Sequence, residues 1–451
     1  MARKKTTPLV EDFDNIPEEA LVPESEQPYP IPKHWKWVRL GSVCEVNPPK
    51  QDITSVPSDM KVTFIPMAAV SDETGQVEDA EVRKLYRVSK GYTSFSSGDV
   101  LFAKITPCME NGKSAIVPDL INGLGYGSTE FFVLRPSPVL NAQILHTFVR
   151  QESFRAKARE VMMGAVGQQR VPKHFLKQFP FPLPPIDEQH EIITYLEANL
   201  AKIDQVTERL ESFLKSSETR VERLFEAAVQ GYLTNDWRSQ QVGLKSEWTT
   251  RTLGSLGAWG GGGTPKKSAT KYWADGSIRW VTPKDMKKWT IEVTQDHVTE
   301  AGVAESSATL YEGPAVCVVV RSGILRRTLP SAVIDGKFTV NQDIKVLHSI
   351  DKEVNIEFVH FWLIAREAYI RSFASKSGTT VESIDFKKLK NSVIELPSTE
   401  EQGIIVDRVE MLLGSANRVT ELVSNSLEAI SQVRSRLIAA ALAGQLTPAK
   451  T

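Results

Sequence analysis

A chain of 451 residues is longer than one ordinary domain and favours two or three. With 41% apolar and 24% charged residues it has a soluble globular composition, and no run approaches the roughly 20 apolar residues of a membrane helix. The formal net charge of −1 excludes a global polycation, so any nucleic-acid binding must come from local clusters of charge.

The opening stretch MARKKTTPLVEDFDNIPEEA has no apolar segment behind its basic residues, so it does not read as a secretory signal, and the chain is placed in the cytoplasm. Residues 1–30 read as an acidic, proline-containing flexible extension, mobile or in contact with a partner. A first strand-rich domain is expected over 31–184. Its β-like runs VTFIPMAAV (62–70), DVLFAKI (99–105) and EFFVLRP (130–136) are punctuated by Gly, Pro, Asp and Ser, and a helical stretch covers 141–160. Pro182, Pro184 and Pro185 force extended chain, and LPPIDEQ (183–189) opens a segment free of proline and glycine until Gly231. A long helix is predicted over 185–233, then a linker over 234–246. The second domain, 247–396, carries IRWVTP (278–283), AVCVVVRS (315–322), DIKVL (343–347) and a helical stretch over 355–374. LPSTEEQ (396–402) then opens a second long helix over 397–447, followed by a tail at 448–451.

The chain repeats itself at an offset of about 213. Trp35 falls on Trp248, Leu40-Gly41-Ser42 on Leu253-Gly254-Ser255, Glu130 on Asp343, Pro184 on Pro397, Glu188-Gln189 on Glu401-Gln402, and Gly231 on Gly444. The predicted architecture is therefore α+β. Two similar mixed α/β domains are separated by an antiparallel, coiled-coil-like pair of long helices with an internal pseudo-two-fold repeat.

Heptads carry the helix prediction. One seam runs Ile193, Leu200, Thr207, Leu214, Val221, Ala228 with Leu196, Ile203, Leu210, Ser217, Leu224. The other runs Val406, Leu413, Thr420, Leu427, Arg434, Ala441 with Val409, Ala416, Val423, Ile430, Leu437. Such a stripe must be covered by another helix, and about 44 residues span roughly 65 Å. Apolar residues off the seam (Ile192, Val206, Phe213, Phe225, Met411, Leu412, Val419, Leu422) suggest a second face for a protein partner. Ser398 and Glu401 have capping-box spacing, and Gly231 and Gly444 sit where C-terminal caps belong.

Catalytic motifs are fragmentary. NPPK (47–50) has Lys50 where a base-stacking aromatic would stand, and GKS (112–114) has Pro107 where a P-loop needs glycine. WGGGGTPKK (259–267) lacks a Gly-Lys-Ser/Thr ending and reads as a mobile or close-approach loop. The seven histidines form no i, i+4 pair, and Cys44, Cys108 and Cys317 lack metal-site spacing and read as buried thiols. No metal site and no catalytic residue is assigned. Basic residues cluster instead: Lys266, Lys267, Lys271, Arg279, Lys284, Lys287 and Lys288, interleaved with Tyr272, Trp273 and Trp280, and then Arg321, Arg326 and Arg327. The first copy offers Lys104, Lys113, Arg135, Arg150, Arg155, Lys157 and Arg159. Such side chains suit phosphate contact and base-edge reading. The DNA-binding set read from the sequence is Lys104, Lys113, Lys266, Lys267, Tyr272, Trp280, Lys284, Arg321, Arg326 and Arg327.

Together these features resemble the specificity subunit of type I restriction–modification systems, over nearly the whole chain beyond about residue 30. LPPIDEQ and LPSTEEQ with their helices look like the family's two conserved regions. FIPMAAVS, GDVLFAKITPCMENGK and GYGSTEFFVLRP look like one type of target recognition domain, and GGGTPKKSATKYWADGSIRWVTPKDMK like another. The resemblance implies a non-catalytic subunit that binds a bipartite double-stranded DNA target, one recognition domain per half-site. Its helices would dock two methylation subunits, with Glu188, Gln189, Phe213, Phe225, Glu401, Gln402, Leu412 and Val419 as candidate contacts, and restriction subunits would join them. S-adenosylmethionine, ATP and Mg belong to those partners and no cofactor to this chain. A pure adaptor without DNA affinity and an autonomous DNA-modifying enzyme are the competing classes.

Overall fold

The computed structural model describes residues 9–165, 167–241, 248–376 and 381–446. It divides into two compact units, Met1–Arg209 with Asn425–Thr451, and Leu210–Ser424.

In the first unit, strand Val100–Ala103 explains why its sequence is apolar without alternation. Val100 and Phe102 join a core with Ile144, Leu145 and Phe148 of the helix Ala142–Arg150, while Leu101 and Ala103 point into a second core with Ile65, Phe95 and Val133. Successive side chains face opposite sides, so a strand covered on both faces must be apolar throughout. The sheet around it runs Cys44–Val46, Phe131–Pro136, Val100–Ala103, Ser114–Ile116, all antiparallel. A second sheet runs Glu81–Lys84, Lys61–Ile65, Gly125–Gly127, Thr93–Phe95, with its central pair parallel. Lys36–Arg39 and Pro180–Leu183 form a separate antiparallel ribbon.

The second unit repeats this topology. Ala258–Gly261, Ile344–His348, Ala315–Val319 and Ser331–Ile334 form one sheet. Asp296–Val298, Ile278–Val281, Lys337–Val340 and Tyr311–Glu312 form the other, again with a parallel central pair. The ribbon is Thr249–Thr252 with Val393–Leu396. In the glycine-rich loop, a Cβ on Gly262 would lie 1.8 Å from Val340 O and one on Gly260 2.1 Å from the Tyr311 hydroxyl. These glycines serve close backbone approach, one of the two roles read for them.

The long helices are Ile186–Val229 and Thr399–Leu442, 44 residues each. In the first unit Ile192, Ile193 and Leu196 share a core with Ala441 and Leu442. In the second unit Phe225, Ala228 and Val229 share one with Ile405, Val406 and Val409. The start of one helix meets the end of the other each time, which is antiparallel pairing. Three of the four polar seam positions are compensated: Thr207 and Ser217 hydroxyls donate to Ile203 O (2.9 Å) and Leu214 O (2.6 Å), and Arg434 pairs with Asp204. Gly231 and Gly444 end the helices with φ of +76° and +68°, the left-handed conformation that glycine adopts without strain. Ser398 Oγ accepts from Glu401 N–H at 3.3 Å, one arm of the expected capping box.

Several expectations are corrected here. The extension read as flexible is packed where described: Val10 and Val22 are buried, their N–H groups donate to Ser42 O (2.7 Å) and Trp37 O (3.0 Å), and Leu21 bridges Val38. The linker contains the helix Asn235–Gln240, held by a bidentate Arg408–Asp236 pair that brings the Asp236 carboxyl down to about 2. Residues 242–247 and the tail at 448–451 lie outside the described residues. Cys44 and Cys317 are buried, and burial pushes the Cys44 thiol up to about 12, whereas Cys108 is only half-buried.

The junction residues taken as docking contacts are internal latches instead. Glu188 Oε2 accepts from Trp35 Nε1 (2.9 Å) and His34 Nε2 (2.7 Å), and Glu401 Oε2 accepts from Trp248 Nε1 (3.3 Å). The Glu401 carboxylate, fully buried, also takes Thr234 Oγ1 (2.7 Å) and Arg238. Gln189 is buried, accepts from Asn141 N–H (2.8 Å) and donates to Val139 O and Pro184 O (2.8 Å each). Gln402 does the same with Asn355 N–H (2.7 Å), Glu353 O (3.0 Å) and Pro397 O (2.9 Å). Asn141 and Asn355 are the N-caps of the helices Ala142–Arg150 and Ile356–Ala365, so each junction glutamine clamps the start of a domain helix. Phe225 is also wholly buried and is no docking contact.

Candidate nucleic-acid interface

The exposed cations sit on loops that follow the core strands. In the second unit Lys266, Lys267 and Lys284 are exposed, as are Arg321, Arg326 and Arg327. Arg326 is held by Glu382 (2.8 Å), and Arg321 Nε donates to Asp343 Oδ1 at 2.7 Å. Asp343 is itself anchored, because Asn341 Nδ2 donates to its other oxygen at 3.0 Å. Arg321 and Asp343 border a cleft of about 640 Å³ whose walls also include Pro283, Ser322 and Ser383. Tyr272 is half-buried with its hydroxyl on Glu305 (3.2 Å), and Lys271 pairs with the same carboxylate. Trp280 is corrected from a candidate DNA contact to a core residue. It is 3% exposed, packs edge-on against Trp273, and donates its indole N–H to Gly263 O (3.2 Å).

In the first unit most of the basic candidates tie loops down. Lys113 Nζ donates to Val70 O (2.8 Å) and is half-buried, so it too is corrected from DNA contact to loop anchor. Arg135 forms a bidentate pair with buried Asp99 (2.8 Å to each oxygen). Arg150 donates to the carbonyls of Gly112, Asp72 and Glu73, and burial depresses its ionisation. Lys104 is also half-buried, with Nζ donating to Thr129 O (2.6 Å) at the rim of its loop. The residue the sequence reading missed is Arg170. Its Nε and Nη2 donate to Glu130 Oε2 (2.9 Å) and Oε1 (2.8 Å), and Nη1 donates to Gln168 O (3.0 Å). The Arg170 guanidinium holds the Glu130 carboxyl below its usual range. The signal was present in the alignment of Glu130 with Asp343, an acidic position kept in both copies.

Among the described residues no cluster of three or more His, Cys, Asp or Glu side chains could hold a metal ion, and no helix is long and apolar enough to cross a membrane. The NPPK asparagine is structural: Asn47 exchanges bonds with Val133 through its own N–H (2.7 Å) and its side-chain oxygen (3.0 Å).

Two mixed α/β units of identical sheet order, each presenting cations on strand-following loops, define a duplicated recognition module. The family described as "Type I restriction modification DNA specificity domain" matches residues 32–213 and 245–429, and the chain belongs to it. It is 36% identical over 204 residues to the specificity subunit of the type I restriction enzyme EcoAI of Escherichia coli, a match covering 45% of this chain and 34% of that protein. It is also 36% identical over 197 residues to the EcoR124I/EcoR124II specificity subunit of Escherichia coli, covering 43% and 48%. The matched segment thus spans half or less of these relatives' own length. The EcoDI specificity subunit of Escherichia coli is 21% identical over 438 residues, 92% of this chain and 90% of that one. Among solved structures, the HsdS subunit of Thermoanaerobacter tengcongensis shares the fold with TM-score 0.65 and 20% identity, covering 94% of this chain and 100% of that chain. A chain from a study of complex assembly and conformational transition of the type I R-M system gives TM-score 0.71 and 19% identity, covering 93% and 100%.

Proposed function

We propose that this chain is the non-catalytic sequence-reading subunit of a type I restriction–modification complex, with each unit taking one half-site of a bipartite, asymmetric DNA target. The observation that carries the reading is the duplication with divergence. The two units share sheet order and latches, yet their exposed loop cations differ, which suits two different half-sites. Lys104, Lys266, Lys267, Lys284, Arg326 and Arg327 serve the DNA backbone. Phosphate contacts of this kind position the protein and make binding salt-dependent. Tyr272 supports Lys271 beside them.

The long helices dock two methylation subunits. Met411, Leu412, Val419 and Leu422 are each more than 40% exposed and lie within about 100° of one another around the second helix, on a face distinct from its seam. Val206 on the first helix is likewise exposed, and Phe213, half-buried under Arg220 at 4.1 Å, adds to that surface. S-adenosylmethionine, ATP and Mg are used by those methylation subunits and by translocase-nuclease subunits that join them, in the cytoplasm.

Mapping methylated adenines in DNA of the host tests the reading. The expected result is one split motif, with both half-sites and the spacer defined, that disappears when this chain is deleted. A methylation pattern independent of this chain overturns it, as does DNA binding by the assembled complex without sequence preference. Inserting about one helical turn within 200–225 is expected to change the spacer and leave both half-sites intact.

A further inference from the structure

Each unit contains the same small construction, assembled with its key residue in a different place. An isolated antiparallel bridge joins the end of a core strand to the segment returning from the helical layer. It is Ile105 with Arg170 in the first unit and Arg321 with Ser383 in the second. The flanking bonds repeat as well. Lys104 N donates to Glu130 O (2.9 Å) and Val171 N to Lys104 O (2.9 Å), while Val320 N donates to Asp343 O (2.8 Å) and Ile384 N to Val320 O (2.8 Å). These bonds equate Ile105 with Arg321, Arg170 with Ser383, and Glu130 with Asp343. Each bridge therefore carries one arginine, on opposite members, and both arginines reach the same carboxylate position.

An exposed ion pair adds little stability, so stability is a poor reason for two routes to one arrangement. What a carboxylate does well is fix the guanidinium plane before a ligand arrives, which lowers the ordering cost of binding. A guanidinium has five N–H donors. Among the described residues, Arg170 spends its Nε–Nη2 edge on Glu130 and one Nη1 hydrogen on Gln168 O. One N–H on Nη1 and one on Nη2 remain. Among the described residues Arg321 spends only Nε, on Asp343. The side chains are 44% and 55% exposed, open enough to meet a ligand.

Two parallel donors match O6 and N7 of guanine on the major-groove edge. They also match a phosphate, but here a carboxylate sits against each arginine, and bringing a phosphate beside it costs like-charge repulsion that a neutral base edge does not. We propose that Arg170 and Arg321 are the guanine-reading side chains of the two units, pre-oriented by Glu130 and Asp343. The inference rests on the DNA-specificity reading above and adds which residues set the sequence.

The test is the methylation map of the intact complex in its host with Arg170→Gln or Arg321→Gln. Each variant is expected to relax a single guanine position in one half-site, losing about 10- to 100-fold discrimination there, with the other half-site unchanged. Motifs unchanged in both variants overturn the inference while leaving the DNA-specificity reading intact. A wild-type map with no motif removes that reading itself. A half-site without any G·C pair overturns the assignment for its unit, and so does a uniform loss across all sites in a complex that still assembles. Where a variant does not assemble, the wild-type complex decides, on duplexes carrying 7-deazaguanine at each guanine in turn. About tenfold weaker binding at one position per half-site supports the inference, and equal binding at every position overturns it.

Discussion

Glu188 and Glu401 occupy the same place in the repeat and live in different surroundings. Both accept an indole N–H, from Trp35 and Trp248. The Glu188 side chain is 20% exposed and has His34 as its other neighbour, whereas Glu401 is fully buried against Arg238 and Thr234. A half-wet carboxylate needs one good neighbour. A dry one needs a permanent cation and further donors. Duplication has kept the directional bond in both copies and let charge compensation follow local burial.

The largest expected effect comes from breaking that difference. Glu401→Ala removes the buried acceptor shared by Arg238, Thr234 and Trp248 and should cost about 3 kcal/mol of unfolding free energy. Glu188→Ala should cost about 1–2 kcal/mol, the worth of its two hydrogen bonds to Trp35 and His34. Urea denaturation of the full-length chain checks both, and equal losses would mean the burial contrast is irrelevant.

The histidines sharpen the comparison from the other side, because here the two units match. His146 and His360 lie on equivalent helices, with Nε2 3.1 Å from Ser114 O and Ser331 O, and burial pushes both imidazoles down to about 4 from 6.5. Between those values the unfolded chain takes up protons and the folded one does not. Stability is therefore intact above pH 6.5 and falls as pH drops toward 4, by on the order of 2–3 kcal/mol per histidine at the bottom of the window. Thermal unfolding across that range should show the fall. His146→Gln and His360→Gln should each flatten it by a similar amount, and unequal flattening would separate the units.

The smallest effect on stability is expected at the exposed face of the second helix. Leu412→Asp with Val419→Asp should shift unfolding by no more than about 0.5 kcal/mol per site. Recovery of co-expressed methylation subunits with the purified chain should nevertheless fall sharply. Unchanged recovery would move the docking face elsewhere.

The duplication, the strand runs and the two long helices were legible in the sequence because they rest on periodicity and offset, which the chain carries openly. The latch was half legible. Trp35, Glu188 and Gln189 were found by their repetition, but repetition alone does not say whether a polar residue faces a partner or its own fold. Gln189 and Gln402 turn inward because two backbone carbonyls and an N-cap N–H need partners there. Trp280 and Lys113 misled for the related reason that composition does not report direction. Arg170 was missed because its counterpart is Ser383, so no like-for-like alignment can pair it with Arg321. Only the bridges and the shared carboxylate position make the two equivalent.

The C-terminal cap of the second helix has a consequence for synthesis. A Cβ on Gly444 would lie 2.4 Å from Pro32 and 3.2 Å from the Trp35 indole, and Ala441 and Leu442 belong to the same core as Trp35. The first unit is therefore built from the beginning of the chain and its final helical turns, while Leu210–Ser424 is one uninterrupted segment. On a ribosome that releases the chain from its N-terminus, the unit that begins first is the one that finishes last, and its apolar core waits for more than 200 residues of intervening chain.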